Sequence, residues 1–177
     1  NQLDPHFTLN ALNSVLHLVE QSDREKIRSS LQSFSGLYRD MLLSAGKSRR
    51  TLGEEIEFCR EYLALEKIRF GERFDYSVEM PPGINSELPV PKFVIQLFAE
   101  NAVKHGISTR EDGGMLRIRV RGAERELTIE ISDNGQGITG DGSLSESGIG
   151  LSSMRERARV LGGELIINSQ AGQGTSI

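Results

Sequence analysis

Asp133-Asn134-Gly135-Gln136-Gly137 follows an alternating apolar run, so it reads as the end of a strand that opens into glycines. Such an end presents one fixed acceptor and bare backbone, which suits a flat, amine-bearing base held edge-on. Upstream, Glu100-Asn101-Ala102-Val103-Lys104-His105-Gly106 reads as the last turns of a helix. Residues three and four apart are neighbours on a helix, so Asn101, Lys104 and His105 share a face that suits a metal-bound polyphosphate. Gly106 is expected to end that helix, as a glycine after the last turn commonly does. Downstream, Gly148-Ile149-Gly150-Leu151 leads into a helical pattern through Met154, Ala158 and Leu161 that Gly162-Gly163 ends. Glycines just before a helix turn bare amides toward an anion, which makes this stretch a phosphate seat.

Taken singly, these stretches are weak signals. Ser153 stands where a dinucleotide fingerprint needs its third glycine, and no Gly-Lys-Ser/Thr of a P-loop occurs. Their order, with Gly174-Thr175 last, resembles the N, G1 and G2 boxes of the GHKL ATP-binding fold shared by gyrase, MutL and sensor histidine kinases. The resemblance implies ATP and Mg2+, with Asp133 reading the adenine amine and Asn101 ligating the metal. Lys104, His105, Gly135, Gly137, Gly148, Ile149, Gly150, Leu151 and Thr175 would complete the nucleotide site. The Gly- and Ser-rich residues 138–147 are expected to form a mobile cover over it.

Composition narrows the alternatives. A net charge of -4, with both signs interspersed, leaves no footprint for nucleic acid. The single cysteine, Cys59, excludes an intrachain disulfide framework and fits a reducing compartment. No run approaches the ~20 apolar residues needed to span a bilayer. The chain opens on Asn1-Gln2-Leu3 and stops as a strand begins at Gly174-Thr175, so a fragment with a truncated last strand is expected.

From the amino terminus, Asp4-Pro5-His6 opens a helix whose apolar stripe is Phe7, Leu12, Val15, Leu16 and Val19. His6, Asn10, Asn13 and His17 form a polar line beside it, which an ordinary core helix does not need. His6 reads either as a capping or surface imidazole or as a first-turn nucleophile. The positive helix end favours the neutral ring and Asp4 favours the charged one, so spacing leaves its protonation open. Pro5-His6-Phe7 with Asn10 and Asn13 resembles the phosphoacceptor box of LytS-type sensor histidine kinases, with Asp4 and Thr8-Leu9 as departures.

Ser22-Asp23-Arg24-Glu25 has capping-box form and starts a second helix with the stripe Ile27, Leu31, Phe34, Tyr38, Met41 and Leu42. The hairpin carries more apolar surface than it can bury alone, which a homodimeric four-helix bundle would cover, as would packing on the rest of the chain. The small, basic residues 44–50 mark the boundary, giving a helical dimerisation unit over 1–47 and an ATP-binding unit over 48–177. A capping box at Thr51 and Glu54 opens a helix that runs to Gly71, and its Tyr62-Leu63…Leu65-Glu66-Lys67-Ile68-Arg69-Phe70 run again resembles the LytS type. Residues 74–80 read as a strand, Val90-Pro91 as the start of the next helix, and residues 116–131 as a hairpin with one buried face. The expected fold class is α+β: a helical hairpin followed by a GHKL α/β sandwich with a mixed sheet.

The resemblance implies a two-component sensor histidine kinase core that autophosphorylates His6 from ATP, with Asn10 and Glu100 in the catalytic set. It also implies phosphotransfer to a response-regulator aspartate, a homodimer, and a cytoplasmic location with the membrane reached only through a sensor segment absent here. GHKL ATPases resemble one another in a glutamate one turn before the metal-binding asparagine. Leu97 stands there and has no proton to accept, which argues against hydrolysis. The rival readings are an ATPase, a serine kinase acting on a protein partner, and a nucleotide-binding dimerisation module without phosphohistidine chemistry.

Overall fold

The computed structural model describes residues 24–43, 46–108, 110–123, 126–138, 155–156, 158–160 and 162–177. The expected first helix with His6 and Asn10, and the Gly148 to Leu151 turn, lie outside the described residues. Helix α1 (Arg24–Leu43), strand β1 (Arg49–Thr51) and helix α2 (Leu52–Phe70) precede a sheet built from strand β2 (Phe74–Glu79), strand β4 (Gly114–Ala123), strand β5 (Glu126–Asp133), strand β6 (Asn168–Gln170) and strand β7 (Gly174–Ser176). Its order is β2-β4-β5-β7-β6, with β2 parallel to β4 and the remaining pairs antiparallel. This is the expected α+β class with a mixed sheet.

Thr51 fixes where α2 begins. Its hydroxyl accepts from the Glu54 amide at 3.1 Å, and the Glu54 carboxylate accepts from the Thr51 amide at 2.8 Å, the reciprocal box the sequence predicts. Gly71, at φ 60°, ends the helix. α2 is buried on most sides, through Leu52, Ile56, Phe58, Cys59, Tyr62, Leu63 and Leu65. Leu116, Ile118 and Val120 of β4 and Ile131 of β5 join the same core, while Arg119 and Arg121 face outward and pair with Glu79 and Glu130. These two arginines thus lie on a charge-paired outer face, as alternation implies.

Two expectations need correction. The segment at Val90-Pro91 is a short strand, β3 (Pro89–Pro91), which pairs with β1; the helix α3 (Val94–Asn101) starts only after Phe93, whose φ of 62° is left-handed. Gly106 does not end the helix: Ala102–Ile107 continue as a π-helix, and the Ser108 amide reaches back to the Val103 carbonyl at 2.8 Å. On α1, Leu37 and Ser30 are buried and Phe34 packs on the core, whereas Leu31 and Tyr38 of the sequence stripe are 43% and 38% exposed. One end was legible: Gly162 at φ 70° donates to Arg159 and Gly163 to Ala158, the paired bonds of a glycine helix stop.

The Thr51 cap has a measurable consequence. Thr51→Ala removes the side-chain acceptor and is expected to lower stability by about 1 kcal/mol in chemical denaturation, with the m-value unchanged.

Candidate functional site

The π-helical end of α3 and the Asp133 loop meet backbone to backbone. A Cβ on Gly135 would collide with the backbone of Gly106, and a Cβ on Gly106 would come to 2.8 Å from Asp133 Oδ1. Glycine at both positions is therefore a packing requirement rather than a helix stop. The widened turn accommodates this approach, and π segments of this kind recur at functional sites. Gln136 stitches the contact: its amide donates to the Gly106 carbonyl at 3.0 Å and its Nε2 to the His105 carbonyl at 2.7 Å.

Asp133 is held by the sheet. It sits across from Leu116 on β4 and from Thr175 on β7, at the end of β5. Its Oδ1 accepts the Gly135 amide at 2.8 Å. Burial pushes its carboxyl above the ordinary range, while bonds from the Gly135 and Thr175 backbone pull it back. Gly174, at φ 94°, lies so close that a Cβ there would run into the Asp133 carbonyl. Gly137, at φ 67°, turns the chain beside the Gln170 carbonyl. A cavity of about 500 Å³ opens along β5, β6 and β7 and reaches both Asp133 and Thr175. Asn134 braces the loop from behind, its Oδ1 accepting the Met115 amide at 2.7 Å, and Arg110 Nη1 donates to the Asn134 carbonyl at 3.0 Å.

The helix brings the polar groups to the same end. Asn101 is half-buried, and Lys104 and His105 are exposed. The shift from α to π after Asn101 departs from the 3.6-residue period behind the shared-face expectation. Leu97 packs against the core. Glu100 accepts Gln96 Nε2 at 2.8 Å, and its charge acts on Tyr62 and Glu66 of α2, so it faces that helix. Glu66 itself is buried, pairs with Arg69 at 2.6 Å, and is pushed up to about 7, chiefly by burial.

The donor set fits a metal carried in by its own phosphates. Among the described residues no three His, Cys, Asp or Glu side chains converge to hold a cation. Mg2+ keeps several waters and takes few protein ligands beside phosphate oxygens, and the half-buried Asn101 would offer it an amide oxygen. Of the expected site residues, Asn101, Lys104, His105, Asp133, Gly135, Gly137 and Thr175 lie in or beside this junction, whereas Glu100 is turned toward α2; His6, Asn10, Gly148, Ile149, Gly150 and Leu151 lie outside the described residues. Sequence reasoning missed Gln136 and Asn134, which occupy the variable places of the glycine motif, and Glu55, which reaches the site only through α3.

A helix-backed mixed sheet whose carboxylate-ended strand abuts the end of a helix is the ATP-binding fold of the gyrase and histidine kinase class. Residues 90–177 match the family of histidine kinase-, DNA gyrase B- and HSP90-like ATPases, and residues 1–74 match the histidine kinase family. The chain is 31% identical over 176 residues to the sensor protein LytS of Enterococcus faecalis, covering 99% of this chain and 27% of that one. It is also 31% identical over 183 residues to the sensor histidine kinase YesM of Bacillus subtilis, covering 99% of this chain and 31% of that protein. The histidine kinase domain of an Erythrobacter litoralis blue-light activated histidine kinase shares the fold, with a TM-score of 0.57, 22% identity, and coverage of 89% of this chain and 79% of that one. The chain belongs to the histidine kinase family, in its LytS-type branch. It spans between a quarter and a third of the length of these curated relatives.

Two outcomes follow from the geometry. Gly135→Ala forces the loop off Gly106 and is expected to abolish nucleotide binding in a titration with Mg-ADP while circular dichroism stays close to wild type. Glu66 has a folded pKa of about 7 against an ordinary 4.5, so its proton stabilises the fold fully below 4.5, and that contribution is lost as pH rises to 7. Relative to Glu66→Gln, the wild-type chain should lose up to roughly 3 kcal/mol between those limits in denaturation at stepped pH.

Proposed function

We propose that this chain is the catalytic core of a two-component sensor histidine kinase that phosphorylates its own His6 from ATP. The observation that carries the reading is the Asp133 carboxylate, fixed at the end of β5 against Gly106 and beside the cavity reached by Thr175. An adenine amine donating to Asp133 would seat the base there. The phosphates would then lie toward Asn101, Lys104 and His105, with the amides of Gly148 to Leu151 closing on them. Mg2+, held through the Asn101 oxygen, would neutralise charge on the phosphate oxygens. Phosphoryl transfer of this kind is mainly positioning and electrostatics.

A neutral His6 ring nitrogen would form a P–N bond to the γ-phosphorus as the bond to the ADP oxygen breaks, the ring proton leaving to solvent. Asn10, one turn on, would orient the ring, and Glu100 would support the metal or the attacking imidazole. The phosphohistidine would pass its group to an aspartate of a response regulator. Leu97 in place of a water-activating carboxylate supports transfer to protein over hydrolysis. Leu31 and Tyr38, exposed on α1, support a homodimer that buries this face, with the helical unit over 1–47 and the ATP-binding unit over 48–177. Among the described residues no helix is long and apolar enough to cross a membrane. We place the chain on the cytoplasmic side, with any membrane anchor in a further sensor segment.

Incubation with γ-labelled ATP and Mg2+ tests the reading. The wild-type chain is expected to take up acid-labile, alkali-stable label. His6→Ala should take up none while still binding ADP, and Asp133→Ala should weaken ADP binding by about ten- to a hundredfold. Label that survives His6→Ala overturns it.

A further inference from the structure

The N-terminus of α3 has no cap of its own. Phe93, the residue before it, is left-handed and offers no side-chain acceptor. The amides of Phe93, Ile95 and Gln96 instead donate to the carboxylate of Glu55 on α2, at 3.0, 2.9 and 3.4 Å. Glu55 is fully buried, and burial raises its carboxyl above the ordinary range against the pull of Arg50 and those amides. A negative charge at a helix N-terminus is stabilising, and here it comes from a neighbouring helix.

Arg50 extends the contact to a third helix. Its Nε lies 3.2 Å from Glu55 Oε2 and its Nη2 3.0 Å from Asp40 Oδ2 on α1. The guanidinium, 3% exposed, also lies 4.8 and 4.7 Å from the ring centres of Phe58 and Phe93. None of its nitrogens makes an aligned hydrogen bond among the described residues, so charge and ring faces hold it and its position follows its two carboxylates. Arg50 also pairs with Val90 in the β1–β3 ladder that leads into α3. A buried ion pair is poor evidence for stability but a recognised means of fixing one arrangement. Phe93, held in the left-handed region that a non-glycine residue rarely adopts, is strained, and such strain gathers at functional sites.

We propose that Asp40, Arg50 and Glu55 are positioning residues that couple α1 to α3, the helix bearing Asn101. Movement of α1 shifts Arg50, Arg50 shifts Glu55, and Glu55 carries the first turn of α3. By linkage, nucleotide held at the far end of α3 tightens the docking of α1. The inference rests on the kinase reading only in taking α3 as the nucleotide-bearing helix. Asp40 is the residue to change, because its side chain is 41% exposed and the other two are buried.

The test compares the 177-residue chain with its Asp40→Asn and Asp40→Glu variants by Mg-ADP titration and amide hydrogen exchange. In the wild type, Mg-ADP is expected to slow exchange at Ile95 and Gln96 and also on α1 around Leu37. Asp40→Asn should weaken Mg-ADP binding by about fivefold and abolish the response on α1, with the melting temperature near wild type. Asp40→Glu should retain both. A wild type that binds Mg-ADP without any response on α1, or an Asp40→Asn chain that binds and responds as wild type, overturns the coupling and leaves the kinase reading standing. A wild type that binds no Mg-ADP overturns the kinase reading and this inference together.

Discussion

The contact between Gly106 and Gly135 is the constraint on which the site depends. With no side chain on either residue, the end of a helix and the end of a strand lie backbone against backbone, and Asp133 comes within reach of both. The Gln136 bonds to Gly106 and His105 then lock the two segments in register. Everything else serves this junction: the antiparallel ladders through Leu116 and Thr175 hold Asp133 from the sheet, and Glu55 holds the opposite end of α3.

Glu55, Glu66 and Asp133 are each raised by burial, and their partners distinguish them. Glu55 faces backbone amides and an arginine, an arrangement that fixes a helix. Glu66 faces Tyr62, Arg69 and Glu100 and is pushed up to about 7. Among the described residues Asp133 is restrained by the Gly135 and Thr175 backbone, and it lines a cavity along the end of the sheet.

Much of the fold was legible, for reasons the structure makes plain. Thr51 and Glu54 form a local capping box, and the β4–β5 hairpin alternates at period two, so both were readable within a few residues. The three-residue strands β1, β3 and β6 are too short to carry a period. The start of α3 was misplaced because its cap is Glu55, distant in sequence, and no local signal stands at Phe93. Gly106 was misread because a glycine stop and a glycine needed for close approach look alike in sequence. That Asp133 closes a strand was legible from the alternation before it, whereas the bracing by Asn134, Gln136 and Arg110 depends on contacts that only the folded chain creates.

In the function proposed, the fixed carboxylate of Asp133 reads an exocyclic amine. The affinities of the chain for Mg-ATP and Mg-GTP, titrated side by side, test it most directly, because guanine presents an oxygen where adenine presents an amine. ATP is expected to bind at least about tenfold more tightly than GTP. Equal binding of the two nucleotides, or binding of neither, would contradict it.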